Sequence, residues 1–449
     1  MTGLRIELRR STALWAGLLV LVSSTGMLLL ITSGSERWPA NSTSAVLELR
    51  LPLAYVWALV VGFAVLQGMR DSRARVTELF TSTSRPGWVR LGTLACAVAG
   101  AVAVAGAVMC VALVVKVALG GGFVSAGFVP LMVTVVLALA SSVLFGLAVG
   151  RLLPHPLTVP VALVATFMVS TSAARALEAG SPDDEISRLA LLTPVLDPPG
   201  SDLVTTSASV DLGQVVWFTG LGVTAFLLLA ARTHLGRLAA LVPAGLAVVL
   251  ALSIMPVKYS DVLVTDSIAG KLVCEGTVCV SQVHAASLPT VAAVGRDVLT
   301  TLSVLPDAPS EVREDTSAMA HLAAPQRDRR IVYVESQRFP SHLTMTGDQL
   351  RLELLAGAGV AGCATPNTFD TSGSAVRYLT AGYFNGELAE LASDSLTWSN
   401  SRLRAEIDEA WRTFRGQSAR EQLDRVVRAR QMLLACEDSE RVLDVLKAS

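Results

Sequence analysis

Six cysteines, five histidines and one arginine-studded segment are the residues of this chain whose types and spacing could do chemistry. Cys274 and Cys279 flank Glu275-Gly276-Thr277-Val278 between β-rich residues. A tight turn at Gly276-Thr277 sets their sulfurs opposite one another on a hairpin. The preferred pairing is Cys274–Cys279 with Cys363–Cys436, one of three connectivities; the alternative is four buried, unpaired thiols. Two cysteines without a further Cys or His at close spacing make a poor zinc site. His284, His321 and His342 are scattered and read as surface or hydrogen-bonded side chains. No His-Glu-x-x-His, no Gly-x-Ser-x-Gly and no Gly-x-x-x-x-Gly-Lys-Ser/Thr occurs, which removes the zinc-peptidase, hydrolase-elbow and phosphate-cradle motifs. Glu387 and Glu390 form a carboxylate pair near one helix face, with no His beside it, and read as solvated surface. The expectation is a chain with no catalytic residues, no metal and no cofactor.

The arginine-studded segment is different in kind. Arg70–Arg90 places Arg73, Arg75 and Glu78 in alternation with Val76, Leu79 and Phe80, then breaks at Arg85-Pro86-Gly87 and returns through Trp88. That pattern predicts a short amphipathic helix lying at an interface, with Trp88 marking the interface itself. It suits either a loop on anionic lipid or a docking helix that offers a partner both charge and an apolar knob.

Long apolar runs surround this segment. They are Leu14–Ile31, Leu53–Met69, Leu91–Val117, Phe128–Val149, Leu157–Ser172, Val215–Ala231 and Leu238–Met255. Each has about the length needed to cross a hydrocarbon layer of roughly 30 Å as a helix. The mean hydropathy of +0.55 agrees. A net charge of −1 gives no reason to expect nucleic acid. Arginine placement sets the orientation. Arg5, Arg9, Arg10, the Arg70–Arg90 cluster, Arg151, Arg232 and Arg237 fall on one side. Only Arg37, Arg50, Arg175 and Arg188 fall in short loops on the other. The first side is then the cytoplasm, and the odd number of crossings puts the tail after Pro256 outside. The first run is too long for a signal-peptide core and reads as a retained helix.

The crossings are nearly bare of charge, with Lys116 near a helix end where it can snorkel. Ion-coupled transport needs ionisable groups at depth, so the pattern argues against a proton-driven antiporter. Small residues such as Gly146 and Gly150 permit close helix approach. Within the loop Ala173–Gln214, the stretch Ile186–Leu196 is apolar enough to lie along a membrane surface.

The tail reads as a small mixed α/β domain. It holds a hairpin at Lys271–Gln282, a strand at Arg330–Glu335, and helices at Leu288–Val304, Leu350–Ala356, Ala375–Leu391, Ser401–Phe414 and Asp438–Leu446. A further helix opens on the capping box Ser418-Ala-Arg-Glu421.

The segment between the second and third crossings resembles the coupling helix of ABC-2 type transporter membrane subunits. The matching positions are Arg70, Arg73, Arg75, Glu78, Leu79, Ser82, Thr83, Arg85, Pro86 and Trp88. The likeness spans about the first half of the chain, a six-helix core at 1–236. What it implies is a permease subunit of an ABC exporter that moves a hydrophobic or amphipathic substrate. A separate cytoplasmic ABC ATPase subunit would drive it through Arg70, Arg73, Arg75, Glu78, Leu79, Phe80, Arg85 and Trp88. A homodimer, or a heterodimer with a related permease, would sit in the cell membrane. A seventh crossing at 237–256 and an extracytoplasmic domain at 257–449 depart from that family. They leave open an alternative: a membrane-anchored sensor or binding protein acting through its outer domain.

Overall fold

The computed structural model describes residues 13–32, 40–73, 87–231, 233–362 and 370–447. Arg5, Arg9, Arg10, Arg37, Trp38 and Arg232 lie outside the described residues. The chain divides into two compact units, Met1–Val264 and Thr265–Ser449.

The first unit is a bundle of apolar helices. In chain order they are α1 (Ala13–Thr32), α2 (Ser42–Glu48), α3 (Leu53–Gly68), α4 (Gly87–Leu119), α5 (Phe128–Leu152), α6 (Thr158–Arg175), α7 (Ala208–Ala230) and α8 (Val242–Ile254). Each of the seven apolar runs falls mostly in helix, and the seventh is interrupted by a turn at Ala240 and Leu241, between the short helix His234–Ala239 and α8. Among the described residues five helices are long and apolar enough to cross a membrane (α4 to α7, and His234–Ile254, which includes α8), and six if α2 and α3, bent by 56°, form one broken span. The bend falls at Leu49–Pro52, where Pro52 precedes α3 and removes a backbone donor.

α5 stands at the centre, packed on α3, α4 and α7, while α1 packs on α4, α6 on α3 and α8 on α7. Glycine sets the closest approach. A Cβ added at Gly150 would lie 2.1 Å from the Val65 carbonyl oxygen, and one at Gly146 2.6 Å from the Ala64 Cβ. These glycines therefore serve packing within one chain, between α3 and α5.

Backbone hydrogen bonds close the end of the bundle where α2 begins. The Ser42 N–H donates to the Phe123 carbonyl, the Phe123 N–H to Ala40, and the Ile186 N–H to Val257. Ile186–Leu196 does not lie along a surface as its composition suggests. Leu191 and Val195 are fully buried, because two polar side chains, Arg50 and Gln214, need three carbonyls of this stretch, as described below.

The second unit carries one four-stranded sheet and six longer helices. The strands are β1 (Leu272–Glu275), β2 (Val278–Ser281), β3 (Glu311–Glu314) and β4 (Ile331–Val334), paired in that order. β1 and β2 are antiparallel; β2, β3 and β4 are parallel. Gly276 takes φ +64° and turns the β1–β2 hairpin through two residues, so Cys274 faces Cys279 and the two form a disulfide. Cys436 is also disulfide-bonded, while Cys363, its expected partner, lies outside the described residues. Cys96 and Cys110 are free thiols.

Helices α9 (Leu288–Leu302), α10 (Gly347–Leu355), α11 (Thr371–Asn385), α12 (Ser401–Arg415), α13 (Ala419–Leu434) and α14 (Ser439–Lys447) complete the unit. Val278, Val312 and Val332 of the sheet share one core with Val291, Leu354, Leu379, Phe414 and Val426 of the helices. Ser418 and Glu421 form the expected capping box. α11 stops earlier than its sequence suggests, because Gly386 at φ +89° caps it in the left-handed region. Glu387 and Glu390 therefore fall beyond the helix, exposed, rather than on its face.

Candidate functional site

The coupling residues divide between what is described and what is not. α3 ends at Gly68, and the short helix Arg70–Arg73 follows it, with both arginines exposed. Arg75, Glu78, Leu79, Phe80 and Arg85 lie outside the described residues. Trp88 belongs to the first turn of α4, its side chain again outside the description.

The bundle itself holds two polar features that its sequence hides. Arg50, read as a residue of a short outer loop, is completely buried. Its Nε donates to the Pro194 carbonyl at 2.9 Å, and a terminal nitrogen donates to Gln214 Oε1. Gln214 in turn donates from Nε2 to the carbonyls of Leu191 and Thr193, at 2.8 and 2.9 Å. One turn earlier on α7, Asp211 accepts from Thr206 Oγ1 at 2.8 Å. Arg50 and the Ile186–Leu196 stretch thus explain one another. A buried guanidinium needs acceptors, and irregular backbone tucked into protein supplies them. The bundle is therefore not devoid of buried ions, as bare crossings suggest; Arg50 and Asp211 are buried at one end of it. α7 begins at Ala208, a turn and more before the apolar run, and this brings Asp211 and Gln214 into the helix.

The ionisable residues of the membrane-length helices α5, α6 and α7 occupy first or last turns: Arg151, Arg175 and Asp211. About halfway along these helices lies instead a half-open pocket of about 250 Å³. Trp57 and Val61 of α3, Ser142 and Phe145 of α5, Thr166 of α6, and Trp217 and Leu221 of α7 line it. Ser142 donates to the Leu139 carbonyl at 2.7 Å and Thr166 to Ala162 at 2.8 Å, so both hydroxyl protons are spent on their own helices. Trp57 Nε1 donates to the Ala138 carbonyl at 3.2 Å. Trp217 Nε1 is buried without a hydrogen-bond partner.

In the second unit, polar side chains gather where the parallel strands end, the position at which open parallel sheets most often present a binding crevice. Glu314, at the end of β3, is buried and accepts from the Ser281 N–H at 2.6 Å and from Ser336 Oγ, with His284 Nδ1 2.6 Å from its Oε1. Burial alone would raise this carboxyl; the hydrogen bonds and charge of His284, with those of Ser336 and Ser281, hold it below its ordinary value. Ser281 Oγ also addresses His284 Nδ1, at 2.9 Å. Serine and carboxylate thus meet the same ring nitrogen, so the imidazole cannot relay a proton between them, and the trio is a structural knot.

Beyond β4, Glu335 is buried, with its Oε1 3.6 Å from Arg338 Nε, too far for a hydrogen bond. Burial raises its pKa and that of Asp315. Glu353 is saturated by Arg377, the Ser393 N–H and the Ser393 hydroxyl. His342 stands 3.8 Å from Glu353, stacked on Phe339, with neither ring nitrogen hydrogen-bonded. Burial first, then the Arg377 charge, pushes its pKa down to about 4 against the pull of Glu353. His342 is thus neither at the surface nor hydrogen-bonded, contrary to the reading from sequence. Among the described residues no group of three or more His, Cys, Asp or Glu could hold a metal ion.

Compared with protein-family models, with curated proteins and with solved structures, the chain matches none.

Proposed function

We propose that this chain is the permease subunit of an ABC exporter, moving a hydrophobic or amphipathic substrate with energy supplied by a separate cytoplasmic ATPase. One observation carries the reading. In helices α5, α6 and α7 the ionisable groups stand at the ends, and a half-open apolar pocket lies about halfway along them. Without an ionisable partner at depth there is nothing for a driving proton or ion to bind. Work must then enter from outside the bundle. The Arg70–Arg90 segment, between α3 and α4, combines charge with Leu79 and Phe80 and offers a lever to a soluble motor.

In this reading α1, the bent α2–α3 pair, α4, α5, α6 and α7 are the six-helix core. His234–Ile254 is a seventh crossing. Arginine asymmetry puts Arg70–Arg90 in the cytoplasm and the second unit outside. The Cys274–Cys279 bond suits an oxidising compartment. Arg50, Gln214 and Asp211 then lock the outer end of the bundle, and a pair of permease subunits provides the path. Tilting between two states would require the α3–α5 glycine contact to stay closed while the ends move.

A second reading has its own support. The polar cluster past β3 and β4, with His342 and Glu335 buried and short of partners, favours an outer domain that binds or senses. Affinity purification of the full chain from gentle detergent separates the two. A nucleotide-hydrolysing protein travelling with it supports the permease; its absence, with ligand binding by the second unit, supports the sensor.

A further inference from the structure

We infer that residues 337–345 form an acid-operated latch in the second unit: protonation of His342 sets the imidazole against Arg377 for the Glu353 carboxylate, and the segment swings out. The inference concerns the second unit alone and holds whether the chain is a permease or a sensor; for a sensor it names the stimulus. Glu353, on α10, is the clasp. Its Oε2 accepts from Arg377 of α11 at 2.8 Å and from the Ser393 hydroxyl at 2.7 Å, and its Oε1 accepts from the Ser393 N–H at 2.7 Å. One buried carboxylate thus joins α10, α11 and the turn Ala392–Asp394. His342 Nε2 stands 3.8 Å from the same Oε2, beyond hydrogen-bond reach. Packing alone holds the ring: it is buried, its centroid lies 5.2 Å from that of Phe339, and neither nitrogen is hydrogen-bonded.

Two charged groups face the ring, Glu353 from α10 and Arg377 from α11. Around them, Glu335 after β4 interacts with Arg377, Arg338, Asp315 and Glu353, and Arg338 with Glu335, Asp315 and Arg327. An imidazolium here meets a like charge in Arg377 and a carboxylate whose bonds are already taken, and a buried charge without a partner is costly. Leaving for water is the less costly course, because the segment is loosely tied. The backbone N–H groups of Arg338, Phe339, His342, Thr344 and Met345 donate to Glu335, Phe339 and Ser341, all within 335–345, so these bonds travel with the segment. Arg338 ties it to the Ala323 carbonyl, and Leu343 and Met345 pack on the core, which holds it shut near neutrality. Burial first, then Arg377, takes the pKa of His342 from 6.5 to about 4 in the closed form against the pull of Glu353, and opening restores it. The open form therefore binds the proton first, and acid favours it. From pH 7.5 to pH 5 the ratio of open to closed grows about 25-fold on these values.

The test is hydrogen exchange read by mass spectrometry on the full-length protein in nanodiscs, at pH 7.5 and pH 5, with rates corrected for the pH dependence of the chemical step. The expected result is a fall in protection of roughly tenfold or more in peptides covering 337–345, while peptides covering β2 and β3 keep theirs, the mark of a local opening. His342→Phe should hold the fall below about threefold, because no proton is taken up on opening. Arg377→Met should shrink it too, because the freed Glu353 oxygen then meets the imidazolium in place. In both variants the protection of β2 and β3 at pH 7.5 reports whether the unit is folded. Equal protection of 337–345 at the two pH values, an undiminished fall in either folded variant, or a loss shared equally by β2 and β3, which is acid unfolding of the whole unit, would overturn the latch. The presence or absence of a co-purifying ATPase changes none of these outcomes.

Discussion

Replacing His342 by Phe should make the second unit markedly less sensitive to acid. The imidazole is 3% exposed, and burial with the nearby Arg377 charge takes its pKa from 6.5 to about 4. The unfolded chain therefore binds a proton near pH 6.5 that the folded chain refuses until about pH 4. Stability from this residue is complete above that window and is lost as the pH falls through it. At 1.36 kcal/mol per unit the full loss is about 3 kcal/mol, and about 2 kcal/mol of it is gone by pH 5. Two other groups oppose it. Glu335 and Asp315 have raised pKa values, so they take up protons in the folded state first and favour it as the pH falls. Glu314 is held low, and its contribution is lost only below the ordinary carboxylate range. The difference between the two proteins isolates His342 from all three. Phe keeps the ring stacked on Phe339 and removes two nitrogens that have no hydrogen bonds, so the variant should equal or exceed the native protein at pH 7.5. Urea unfolding of the full chain in detergent, at pH 7.5 and pH 5, measures this through near-ultraviolet circular dichroism and protease cleavage of the second unit. A His342→Phe chain that loses as much stability on acidification as the native one would refute the reasoning.

Two further expectations concern the bundle. Gly150→Ala should lower thermal stability in detergent by about 1–3 kcal/mol, the usual cost of overpacking, because its Cβ meets the Val65 carbonyl oxygen at 2.1 Å; Gly100→Ala, whose Cβ meets nothing within 4 Å, is the control and should be neutral. Gln214→Leu should cost about 2–3 kcal/mol by depriving the buried Arg50 of its side-chain acceptor and leaving only the Pro194 carbonyl, and adding Arg50→Met should restore part of that loss; a double variant worse than the single would contradict the lock.

What the sequence discloses here depends on how local the signal is. Apolar runs of membrane length declare their helices, since a single unbroken run satisfies its own backbone in lipid only as a helix. The Cys274–Cys279 hairpin is legible from six residues because the turn itself demands Gly276. The box at Ser418–Glu421 is equally local, and Thr346-Gly-Asp-Gln349 carries the same signature, which marks the start of α10. β3 is harder: in Glu-Val-Arg-Glu only Val312 is apolar, and Glu314 is buried solely because His284, Ser281 and Ser336 reach it from other elements. Arg50 is hidden for the same reason. A charged residue in a connection reads as solvated until Gln214 and Pro194, far along the chain, are seen to enclose it. The cavity at Trp217 likewise needs four helices to exist, and no spacing within one of them announces it.

The claim on which the functional account depends is that force enters through the segment between α3 and α4. Its most direct test is the ATP-hydrolysing activity that co-purifies, per mole of chain, with the native protein and with a Leu79→Asp, Phe80→Asp variant of equal thermal stability. The account predicts a nucleotide-hydrolysing partner on the native chain and a loss of at least about tenfold on the variant, as expected for two apolar anchors removed from an interface. An unchanged yield on the variant, or no such activity on either protein, would contradict it.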